Sequence, residues 1–153
     1  MTENIMPSAE FKSVFAGDHP QGVYWLKSHA TVSELAKLAR GKDIAFYHLE
    51  GQKIEKKEQF LNHAAVVMKF PSHFGNNWDA FYDCLTDMEW VDEETRGYLV
   101  YFDHTDAFAN HHESQLETVI ELFQDAVEFW QGEGKSMLVL LSGAHPPPGV
   151  KKL

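Results

Sequence analysis

The chain has 153 residues, 44% hydrophobic and 13% aromatic, which suits a single packed domain and excludes a disordered polymer. Its net charge of −10, from 23 Asp and Glu against 13 Lys and Arg, argues against nucleic acid or an anionic membrane surface as partner, because both are held through Lys and Arg. A basic partner fits that charge, and so does plain solubility.

Along the chain, residues 1–21 are mixed in pattern and carry Pro7, Gly17 and Pro20. They read as an irregular arm. Gly22–Leu26 is a short apolar run of strand formers. Thr31 or Ser33 is placed to cap a helix reaching about Arg40, with Val32, Leu35, Ala36 and Ala39 on one face. Asp43–Leu49 is a strand closed by the Glu50-Gly51 turn signal. Lys56–Lys69 has helical spacing and is stopped by Pro71. A helix over Asn76–Met88 follows, then an apolar run at Tyr98–Phe102, a long helix over Glu113–Trp130 and a second apolar run at Met137–Leu141. Pro146, Pro147 and Pro148 open a tail suited to neither a helix nor a central strand.

Strands alternate with helices, and YLVYF and MLVLL are apolar throughout. That pattern belongs to strands covered on both faces, so the expected fold is α/β: a small, three- to four-stranded, mainly parallel sheet packed against helices. The expected division is an arm with a short strand and helix over 1–42, a domain over 43–143 and a Pro-rich tail over 144–153. Cys84 is the only cysteine, and the opening residues lack a basic segment followed by an apolar run. A cytoplasmic protein without a secretory leader is therefore expected.

The segment HFGNNWDAFYDCLTDM, residues 73–88, is the most informative. Gly75 offers a turn, and Asn76 or Asn77 a capping oxygen. At about 100° per residue, Trp78, Phe81, Tyr82, Leu85 and Met88 share a core-facing arc, and Asp79, Asp83 and Asp87 share a neighbouring one. Like charges at i, i+4 oppose the helix by roughly 0.2–0.5 kcal/mol each. No Lys or Arg occurs between Phe70 and Val91 to offset them. Such a row is either a solvated helix face or a surface that meets a cationic pocket.

The run from Pro71 to Thr86 (an aromatic, a Gly, an Asn, an apolar residue, then Asp-Ala-aromatics-Asp-Cys-Leu) resembles the signature of the barstar family. The order of strands and helices is similar over about residues 43–142. The resemblance implies a barstar-like fold and an intracellular inhibitor that occludes the active site of a basic, barnase-like ribonuclease. It implies that Asp83 enters the enzyme's phosphate-binding pocket and that Asp79 pairs with a second donor. Asn77, Trp78, Tyr82 and Thr86 fall at positions that line the contact, and Asp87 extends the acidic row. His73 stands where the family often has a Tyr. Asp87-Met88-Glu89-Trp90 replaces a shorter Gly-Trp turn, with Trp90 supplying the aromatic, and Asp125 stands for an acid of the late helix. The free protein is expected to be a monomer or weak dimer.

Other chemistry finds less support. His104, His111 and His112 lie near Asp103, Asp106 and Glu113, but adjacent histidines diverge on a helix and no metal signature occurs. Acidic neighbours push the Cys84 thiol away from a reactive thiolate. Asp79 and Asp83 as an acid/base pair would need a cleft that a convex helix face does not offer. No catalytic residue, metal or cofactor is expected. The alternatives are a module of the same fold for a basic partner other than a ribonuclease, and an enzyme using the acids or histidines with a metal.

Overall fold

A computed structural model describes residues 21–27, 30–71, 74–111 and 113–153. The irregular arm expected over most of 1–21 lies outside them. Five strands form one sheet: β1 (Gly22–Trp25), β2 (Ile44–Leu49), β3 (Gly97–Phe102), β4 (Ser136–Leu141) and β5 (Lys151–Lys152). The order is β2-β3-β4-β1-β5, and every pairing is parallel. The helices are α1 (Val32–Arg40), α2 (Lys57–Val67), α3 (Trp78–Leu85), α4 (Asp106–His111) and α5 (Glu113–Gly132), with a 3₁₀ turn at Gly51–Lys53.

The α/β class holds, and the sheet has one strand more than the three or four expected. The extra strand is β5, two exposed lysines that show no strand pattern and pair with Tyr24 and Trp25 of β1. It sits at the sheet edge, where the prolines before it do no harm. Helix α4 is also additional, because six residues are too few to display a helical period.

Strand periodicity explains the two cores. Tyr98, Val100 and Phe102 of β3 and Met137, Val139 and Leu141 of β4 point to one face, into a core shared with α2, α3, α4 and α5. Leu99, Tyr101, Leu138 and Leu140 point to the other, where Leu35 and Ala39 of α1 cover them. Both faces are buried, hence the unbroken apolar runs. Register fixes the rows: Phe46 lies beside Leu99, and Leu99 beside Leu138.

The larger core is strongly aromatic. Phe60 of α2 is fully buried and meets Phe81 at 5.3 Å, Phe102 at 5.5 Å, Trp78 at 5.8 Å and Phe108 at 5.8 Å, so one ring joins α2, α3, β3 and α4. Helix α3 runs along α5. Trp78 donates to Gln115 Oε1 at 3.2 Å, Phe81 meets Phe123 at 5.9 Å, and Trp130 Nε1 donates to the Leu85 carbonyl at 3.0 Å. The last bond is buried, so it gives an otherwise orphaned helix-end carbonyl its partner.

Candidate partner-binding face

The acidic segment forms α3, eight residues long. Asn77 is its N-cap: the backbone is extended, and Oδ1 accepts from Ala80 N–H at 2.7 Å. Asp79 lies in the first turn, where the helix N-terminus favours a negative charge. At the other end the Thr86 hydroxyl donates to the Tyr82 carbonyl at 2.9 Å.

Phe81, Cys84 and Leu85 are buried and Trp78 and Tyr82 half-buried, whereas Asp79 and Asp83 are exposed. Asp83 lies about 160–200° round from both Leu85 and Phe81 and so points straight away from the core. Asp87 departs from the expected row. The helix ends at Leu85, Asp87 N–H bonds the Cys84 carbonyl in a closing turn, and Asp87 is exposed beyond the helix rather than on it. Met88 then takes φ +52°, a left-handed conformation uncommon outside glycine, with its side chain sunk in the core.

Ion pairing among the described residues is sparse: Lys53 pairs with Glu50, and His48 and His104 lie within 4.0 Å of Asp103. None of Asp79, Asp83, Asp87 and Asp125 has a cation within 4.0 Å among those residues. At the start of the helix Lys57 Nζ lies 5.3 Å from the centre of the Trp78 ring. Burial pushes the Cys84 thiol up, and the charges of Asp87 and Asp83 push it further, which keeps the sulfur protonated.

The other expected site residues are placed as follows. His73 lies outside the described residues, as does His112. Trp90 is half-buried, donates to the Met68 carbonyl at 2.9 Å and meets Phe70 edge-on at 6.0 Å. Phe70 in turn meets Phe74 at 5.2 Å, so Trp90 braces the loop that leads into α3. Asp125 is exposed on α5. Its direction follows from two markers: Gln115 faces α3, while Ile120 and Gln124 border Pro147 and Val150 on the opposite flank. Asp125 lies about 80° from Gln115, turned away from the core, which puts it on the outward surface of the α3 side.

A second polar arrangement gave no sequence signal, because its members are far apart in the chain. At the carboxyl ends of β2 and β3, His48 Nε2 meets Asp103 Oδ2 at 2.7 Å, and Asp103 Oδ1 accepts from Gly51 N–H at 3.0 Å. His63 Nε2 accepts from Glu50 N–H at 2.9 Å. The turn packs so closely that a Cβ on Gly51 would overlap the Asp103 and His104 carbonyls. This arrangement fastens a turn to the sheet. An open crevice of about 520 Å³ lies nearby, bordered by Trp25, Lys27, Tyr101, His104, Asp106 and Ser142. Among the described residues, no three His, Cys, Asp or Glu side chains come together to hold a metal. Nor is any described helix long and apolar enough to cross a membrane.

Two comparisons with known proteins bear on this face. The family profile Barstar, described as barstar (barnase inhibitor), matches residues 44–142, a span that contains the whole of α3 and α5. A Bacillus subtilis (strain 168) protein named "Putative ribonuclease inhibitor YrdF" is 30% identical over 90 residues, 59% of this chain and 93% of that protein. With the signature segment on an exposed, capped helix and the match running from β2 to the end of β4, the chain belongs to the barstar family.

Proposed function

We propose that this protein is a stoichiometric inhibitor of a basic, barnase-like ribonuclease, and that α3 enters the enzyme's cationic cleft with Asp83 leading. The observation that carries this reading is the pair Asp79 and Asp83: exposed, aimed away from the core and without a cation within 4.0 Å among the described residues. A carboxylate so placed substitutes for a substrate phosphate among Arg, Lys and His groups, and mutual repulsion along the helix is relieved on binding. Asp79 takes a second donor. Trp78, Tyr82 and Thr86 border the contact, Asn77 meets the enzyme from the helix cap, His73 is assigned to the contact by the family signature alone, and Asp87 adds negative potential at the far end. Trp90 acts through the loop it braces, and Asp125 meets the partner from α5. Such a protein guards the cytoplasm against a nuclease that the cell exports or a neighbour delivers.

The test is a titration of ribonuclease activity with the purified protein, using barnase first and then other small basic ribonucleases. The expected result is loss of activity that is complete near one equivalent. Full activity of every such enzyme at a tenfold excess of the protein would end the proposal.

A further inference from the structure

Phe129 of α5 is exposed to 39%. Single exposed hydrophobic side chains are ordinary, and Leu38 and Val66 call for no special account. Phe129 differs in position and surroundings. It lies about 40° from Gln115, between the flank that faces α3 and the outward surface that holds Asp125, one turn before it. Its ring stands edge-on to Trp130 at 5.1 Å and 84°. Trp130 is itself pinned at the end of α3 by its bond to the Leu85 carbonyl and is covered by Lys135 Nζ at 5.7 Å. The phenyl ring thus stands, through Trp130, beside the C-terminal end of the acidic helix. Asp125, Glu128 and Glu133, all exposed, lie within about one turn of it along the chain, against one nearby cation, the Lys135 that sits over Trp130.

An apolar ring on a mainly acidic surface is complementary to a Lys or Arg side chain, whose stem covers the ring while its charged head meets the ring's electron-rich face and the nearby carboxylates. We infer that Phe129 carries the partner-binding face from α3 onto α5, where it receives a cationic side chain from the rim of the basic partner's cleft. This rests on the reading that α3 meets a basic ribonuclease, and it makes Phe129 a specificity-determining residue. Partners with an acidic or short residue at that rim are disfavoured.

The experiment measures Kd and dissociation rate against the ribonuclease inhibited in the titration above. Wild type is compared with Phe129→Ala, Phe129→Leu, Phe129→Tyr and Asp83→Ala, and each variant's melting temperature checks folding. Phe129→Ala should raise Kd about three- to thirtyfold, mainly through faster dissociation. Phe129→Leu keeps apolar contact with Trp130 but lacks the ring face and should also weaken binding, whereas Phe129→Tyr should bind as wild type. Wild-type affinity for the Ala or Leu variant, beside a weakened Asp83→Ala, overturns this inference and leaves the inhibitor reading standing. Wild-type affinity for all variants, Asp83→Ala included, or no ribonuclease inhibited, overturns both.

Discussion

Asp83, the proposed binding group, and His63, whose ring accepts a partly buried hydrogen bond, stand at opposite ends of the range from surface to fold. The Asp83 side chain makes no ion pair among the described residues, so its removal should leave the free protein intact while damaging the proposed complex. His63 is the reverse. Its Nε2 accepts the Glu50 N–H and so must be unprotonated, and burial lowers its pKa from the ordinary 6.5, a shift that the Glu50 charge only partly opposes. With the folded-state value below the unfolded one, the unfolded chain binds more protons as pH falls. The stability contributed by neutral His63 is therefore full above 6.5 and is lost as pH drops through the lower, folded-state value. Urea denaturation of wild type and His63→Gln between about pH 7.5 and 5 should show a steeper loss of stability for wild type. Parallel curves would mean that this bond has no such role.

Helices and strands owe their places to patterns that were readable in part. The two apolar runs announced strands covered on both faces, and the cores on either side of β3 and β4 account for them. The Asn77 cap was legible because Asn before an apolar stripe is a local signal. What the sequence hid was non-local or too short. Helix α4 spans six residues, β5 consists of two lysines, and the bonds of Asp103 to His48 and Gly51 join segments more than fifty residues apart. The length of α3 was overread because Asp87 and Met88 continue its period, although the chain turns away at Thr86. The brace of Trp90 on the Met68 carbonyl was equally unreadable, since an indole N–H gives no hint of its acceptor. Phe60, which ties α2, α3, α4 and β3 together, is the element-scale test. Phe60→Ala should cost about 3–5 kcal/mol in chemical denaturation and loosen α3 with it, whereas a loss below about 1 kcal/mol would contradict the packing described.

Charge is segregated along the chain. Between Phe70 and Lys135 the only cations are Arg96 and Lys135, so the segment that builds α3 and α5 carries most of the negative potential. The remaining Lys and Arg lie earlier, among them Lys37 and Arg40 of α1, or in β5. An uneven field of this kind orients an approaching basic protein toward the acidic side and is screened by salt. The association rate with the target ribonuclease should fall on the order of tenfold between about 20 and 500 mM salt, with a smaller change in dissociation rate. A salt-independent association rate in stopped-flow mixing would show that the field has no part in recognition.

If α3 fills the ribonuclease cleft as proposed, its charge, that of Asp83 above all, is what the enzyme recognises. Asp83→Asn keeps the shape of the side chain and removes its charge, so the inhibition constant of this variant is the most direct measurement, with Asp79→Asn beside it. Asp83→Asn should raise the constant at least about tenfold and Asp79→Asn by less, with an unchanged melting temperature for both. An inhibition constant equal to that of wild type for Asp83→Asn would contradict this recognition by charge.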